Sequence, residues 1–330
     1  MKYLRVHAAM IVVAPALLAL VFFDSRPACG QSPGERSGGD QSRVKATVIV
    51  PKGSGAESND GAPAASAPSS VVALSARRNT LLSTELKWTF GSKEQHGWYL
   101  YTSLIKRLID TKGDPASKGF AAALARWQQK SGLRPSGMLD EESLYAMVAE
   151  WQGSRIKDRT PALPEALLTA PASDFFDPER LEELRQVERE TYVAYKRMVA
   201  AALADRSLGL AQGSKGQLAA SEKFLKIISS FRSREYQERL RRESPQAGSA
   251  GLAVNSPHFT GRALDLYVGG DAVSTNDANR AVQVRTPVYH WLVRNAERFG
   301  FRPYFYEPWH WEYVGKITAE PIMSEKPLAK

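Results

Sequence analysis

The chain has 330 residues, with 44 Lys and Arg against 35 Asp and Glu, so its formal net charge is +9. A hydrophobic content of 43% with this modest charge excludes a disordered chain, and a lone cysteine, Cys29, excludes a disulfide scaffold. Only one long apolar stretch is present, which excludes a polytopic membrane protein.

The N-terminus reads as an export signal over residues 1–30. Lys2 and Arg5 form a positive n-region, residues 8–23 an apolar core, and Ala28-Cys29-Gly30 a small-residue cleavage site. An uncleaved signal would leave residues 8–23 as a membrane anchor. Lipidation of Cys29 is the weakest reading, because Arg26 and Pro27 occupy positions where such a signal wants Leu and a small residue. The expected location is the periplasm, cell wall or exterior. A basic exported chain suits an anionic surface such as a wall, although solubility alone would explain the charge.

Residues 31–82, rich in Ser, Ala, Pro and Gly, read as a disordered tether. A helical unit is expected over 83–152. Tyr101, Leu104, Ile105 and Leu108 recur at helical spacing before Gly113. Phe120, Leu124 and Trp127 mark a second helix, ending near Ser131-Gly132, and Asp140 caps a third through Leu144, Met147 and Val148. Phe120 and Trp127 lie on the apolar stripe and read as core. Residues 153–175 read as a second linker.

A mixed α+β unit is expected over 176–318, with a tail over 319–330. Asp177-Pro178 signals the start of a long helix whose apolar face runs Leu181, Leu184, Val187, Thr191, Tyr195, Met198, Ala202. Residues 223–230 read as a strand, and 263–268 as a strand with two differing faces. Thr286-Pro287 opens a helix that Gly300 stops, and 309–314 form a final strand.

Two of the five histidines, His258 and His310, sit in dense polar company. With Asp265 they offer two imidazoles and a carboxylate, a donor set that suits a catalytic zinc with a fourth position open to water. Gly261 would permit the bend that brings His258 to the following strand. Glu307 is placed to serve as a base, and Pro308 argues against a helix there. A structural histidine beside an aspartate explains the same residues on composition alone.

The wording of two segments is familiar. Phe120-x3-Leu124-x2-Trp127-Gln128-x3-Gly132-Leu133-x3-Gly137-x-Leu139-x3-Ser143-Leu144 resembles the helical peptidoglycan-binding domain found beside wall hydrolases, with Ser143 in place of the usual Thr and Ser136-Gly137 in place of Asp-Gly. Ser256-x-His258-x2-Gly261-x-Ala263-x-Asp265, followed by Glu307-x-Trp309-His310, resembles the LAS metallopeptidases, and most closely their D-alanyl-D-alanine carboxypeptidase branch of the vancomycin-resistance type. The segments Ser230–Gln237 and Trp291–Phe301 match that branch in order.

This resemblance implies a LAS/hedgehog-type fold holding one zinc ion on His258, Asp265 and His310, with Glu307 as base. It places Arg232 at the substrate in a catalytic and binding role, with Ser256 and Gln237 near the substrate. Ser256 reads equally well as a turn cap. Arg262 and Glu312 read as outlying groups, and Glu312 is able to hold a histidine through its second nitrogen. The implied activity is removal of the terminal D-Ala of peptidoglycan stem peptides. The rivals are an endopeptidase or L,D-carboxypeptidase of the same fold, and a non-catalytic wall-binding protein. No nucleic-acid module is present to make use of the positive charge, and the oligomeric state is open.

Overall fold

The computed structural model describes residues 69–214, 216–243 and 255–315, all within one compact unit that begins at residue 63. The signal, its apolar core 8–23, Cys29, the tether to residue 68 and the tail 319–330 lie outside the described residues. Among the described residues, no helix is long and apolar enough to cross a membrane.

The N-terminal half is helical but larger than the expected three-helix unit. Helix α1 (Ser69–Glu85) occupies the C-terminal end of what the composition suggested was tether, and it packs on α3 (Lys118–Lys130). Its apolar residues Val71, Leu74 and Leu81 face solvent, whereas Ser75 and Asn79 are buried. The Asn79 amide donates to Gly137 O at 2.9 Å and accepts from Leu139 N at 2.8 Å. Polar bonds rather than an apolar stripe dock this helix.

A hairpin follows, β1 (Lys87–Phe90) and β2 (Lys93–His96), turning through Gly91 and Ser92 at φ of 56° and 64°. A two-residue Gly-Ser turn between strands is a sequence signal for this hairpin. Helix α2 (Thr102–Leu108) ends at Ile109, and the left-handed residue after it is Asp110 (φ 51°), so Gly113 does not stop the run.

Helices α3 and α4 (Glu141–Gly153) lie where the pattern put them. Asp140 accepts from Ser143 N as N-cap. The Gln128 amide accepts from Gly137 N at 2.8 Å and donates to Ser143 Oγ at 2.8 Å. With Phe120 fully buried and Trp127 nearly so, these signature residues hold the module together.

The expected linker 153–175 is packed structure. Ile156, Leu167, Ala170 and Phe175 are buried, and β3 (Leu167–Thr169) pairs antiparallel with β4 (Gln186–Glu188). That pairing also corrects the helix expected from Asp177-Pro178. Val187 is drawn into the ladder opposite Leu168, Asp177 only closes a local turn on Glu179 N, and α5 (Arg189–Ala204) starts from Glu188 as cap.

The site rests on a four-stranded antiparallel sheet in the order β5-β6-β8-β7: β5 (Ile227–Ser229), β6 (Ala263–Leu266), β8 (His310–Tyr313) and β7 (Phe301–Pro303). Strand β5 is shorter than the expected 223–230, because Leu225 turns left-handed (φ 65°) ahead of it. Helices α6 (Arg234–Glu243), α7 (Asp277–Gln283) and α8 (Pro287–Asn295) complete the unit. Thr286 caps α8, and Gly300 closes the turn after it at φ 84°. The mixed α+β class holds.

Candidate metal centre

Period-two alternation and strand register assemble the cluster. Asp265 of β6 lies directly opposite His310 of β8, and Ala263 opposite Glu312. These four share one face, while Leu264, Leu266 and Trp311 occupy the other and pack into the core. His258 arrives from a short 3-10 turn, Pro257–Thr260, just before β6.

Gly261 makes the bend between them at φ +66°. A Cβ there would lie 2.9 Å from Leu167 Cδ2 and 3.0 Å from Glu188 N. Gly261→Ala is therefore expected to destabilise the fold by about 1–3 kcal/mol, read by urea unfolding, because the left-handed backbone and the clash add. Wild-type stability in that variant would show that the bend relaxes freely.

One atom from each of His258, Asp265 and His310 lies within 4.8 Å of the others, and all three side chains are buried. His258 Nδ1 donates to Ser230 O at 2.7 Å, which turns Nε2 towards Asp265 Oδ2, 3.3 Å away. His310 Nε2 donates to Glu312 Oε1 at 3.2 Å, which turns Nδ1 towards Asp265 Oδ1, 2.9 Å away. Fixing the far nitrogen of each ring is how proteins aim the near one at a metal. Two imidazole nitrogens and a carboxylate then converge, an arrangement able to hold a cation between them. The donor set, two nitrogens and one oxygen, fits zinc.

The local fields agree. Burial pulls His258 down to about 4. Burial also lowers His310, but hydrogen bonds to Asp265 and Glu312 outweigh it and hold that ring up at about 9. Asp265 is buried too, yet the two histidines keep it well below the ordinary carboxylate range. These fields favour a proton on His310, which a metal bound to that ring would displace.

Glu307 sits on the turn between β7 and β8, as Pro308 suggested, and that turn is tied by Glu307 N to Tyr304 O at 3.1 Å and His310 N to Glu307 O at 2.9 Å. The residue is 8% exposed, and its buried Oε1 has no hydrogen-bond partner. Burial pushes its pKa up to about 7. An orphaned buried oxygen beside a metal-type cluster is what a proton acceptor for water requires.

The sequence-predicted neighbours divide. Arg232 joins the cluster: Nη2 donates to Asp265 Oδ2 at 3.0 Å and Nε to Ser229 Oγ at 2.9 Å, with Gln237 Oε1 3.4 Å from Nη1. Ser256 accepts from His258 N at 3.3 Å, so it caps the turn that carries His258. Glu312 is fully buried behind His310. Arg262 lies over the Tyr313 ring, away from the cluster. Sequence reasoning missed Tyr304, whose ring meets His310 edge-on at 5.9 Å, and Arg155, which reaches Glu312 from the helical half. Neither carries a local signal.

Residues 185–316 match the family model VanY, D-alanyl-D-alanine carboxypeptidase. This segment, which contains the whole cluster, is a peptidase domain of the kind that acts on the cell wall. No curated protein matches the chain.

Proposed function

From a VanY-type domain that carries this cluster, we propose that the chain is an exported zinc-dependent D,D-carboxypeptidase that removes the terminal D-Ala of peptidoglycan stem peptides. The observation that carries the reading is the convergence of His258, Asp265 and His310 beside Glu307, whose Oε1 has no hydrogen-bond partner.

His258, Asp265 and His310 would hold one zinc ion. When bound, zinc lowers the pKa of water and polarises the scissile carbonyl. Glu307, with its pKa near 7, takes the proton from the attacking water and delivers it to the leaving amine. Arg232 holds Asp265 in place through their ion pair, and its guanidinium suits a terminal carboxylate or a developing oxyanion. Gln237 steadies Arg232, and Ser256 sets the turn beside the substrate. The helical half is proposed to be a peptidoglycan-binding-like module, and residues 1–30 a signal that is cut or left as an anchor.

Mass analysis of a muropeptide ending in D-Ala-D-Ala, incubated with the zinc-loaded protein, tests this. Loss of one alanine supports the reading. A cut elsewhere in the peptide moves the function to an endopeptidase or L,D-carboxypeptidase, and no cut leaves a wall-binding protein.

A further inference from the structure

The helical half does more than stand beside the peptidase. Glu312 is 0% exposed, and a fully buried carboxylate needs every lone pair engaged. Three of the four hydrogen bonds to it come from across the chain. Beyond the end of α4, Ile156 N donates to Oε2 at 2.8 Å, and Arg155 donates to Oε1 through Nε at 2.9 Å and also through Nη2. The remaining contact of Oε1 is His310 Nε2. Small Ala263 stands opposite Glu312 in the sheet.

The guanidinium is itself fixed. Its carbon lies 3.9 Å from the centre of the Tyr304 ring, and Nη1 donates to Gln152 Oε1 at 2.9 Å. The turn that carries Glu307 is gripped from the same side. Phe305 lies 4.8 Å from Phe90 and 5.8 Å from Trp151, measured between ring centres. The chain on both sides of the metal cluster, the base-bearing turn and the His310 strand, is thus seated against the helical half.

We propose that Arg155 is a positioning residue for the metal site: through Glu312 it orients His310, so the helical half completes the support of a centre whose ligands all lie in the peptidase half. The proposal rests on His310 being a metal ligand. Partners behind metal-binding histidines set both ring orientation and ligand basicity, and their loss typically weakens metal affinity 10–100-fold.

The test is zinc affinity of the full chain, measured by competition with a chromophoric chelator. Arg155→Met keeps the stem over Tyr304 and removes the charged fork, and it is expected to bind zinc about 10–100-fold more weakly. Arg155→Lys, with the charge but one donor site, is expected to recover part of that loss, which a purely packing role would not predict. The cobalt-loaded proteins should show a shifted visible absorption band for Arg155→Met and a smaller shift for Arg155→Lys. His310→Ala is the control for the ligand itself. If His310→Ala loses the metal while Arg155→Met binds as tightly as wild type, the positioning role is wrong and the site reading survives. If His310→Ala keeps wild-type affinity, the ligand assignment fails and the proposal falls with it. Should Arg155→Met fail to fold, Glu312→Gln reads the same link from the other side, and unchanged affinity there overturns the proposal.

Discussion

Glu307→Gln is expected to lower hydrolysis of a stem peptide by about 10²–10⁴-fold while leaving one zinc bound per chain. The amide matches the carboxyl in shape and takes no proton from water. The metal should stay, because Glu307 is outside the group of three that converge. Steady-state kinetics together with elemental analysis check both halves. Loss of zinc along with activity would make Glu307 a ligand, and retained activity would remove it from the chemistry.

The same substitution has a consequence for stability that needs no substrate. Burial raises Glu307 from 4.5 to about 7. The folded protein therefore keeps a proton that the unfolded chain releases above about 4.5. Stability is lost as pH rises through that window, and the penalty is complete above about 7. The gap corresponds to about 3 kcal/mol. Metal-free Glu307→Gln should exceed metal-free wild type by about that much near pH 8, and by almost nothing near pH 4, in urea unfolding. Equal stabilities at both pH values would show that the carboxyl reaches water. A carboxyl kept dry is a cost to the fold until a cation or a proton arrives.

The cluster was legible because its determinants are local. Ser256 to Asp265 contains one proposed ligand, the left-handed glycine and a second proposed ligand within one turn-and-strand, and the Glu307 to His310 segment contains the proposed base and third ligand within one turn. Helix starts at Asp140 and Thr286 were legible for the same reason: each cap bonds within its own first turn. Three features misled or stayed hidden. Helix α1 looked like tether because it buries Asn79 and exposes Leu74, the reverse of an amphipathic pattern. Asp177-Pro178 carries a helix-start signal, but pairing of Val187 with Leu168 claims the following residues first. Arg155 and Glu312 are 157 positions apart, and nothing in either neighbourhood announces the other. The residues of the cluster were therefore readable in one dimension, while the groups that aim them needed the fold.

His258→Ala should reduce bound zinc from one ion to near zero, and its effect on stability should depend on the metal. Metal affinity adds to the stability of any chain whose site exists only when folded. At a free zinc concentration about 100 times the dissociation constant, that gain is about 2.7 kcal/mol. Wild type should therefore melt at a clearly lower temperature after treatment with a chelator. His258→Ala should melt at the same temperature with and without it, because two remaining ligands on adjacent strands do not close the site. The comparison separates ligand loss from simple cavity formation: removing a buried imidazole costs packing in both conditions, whereas the difference between conditions reports the metal alone. If the variant keeps its zinc, or if its melting temperature still falls with chelator, His258 is not a ligand, and the bend at Gly261 serves the fold only. The absence of a cysteine from the described residues gives this linkage its weight, since no disulfide is available there to hold the turn in the metal's place.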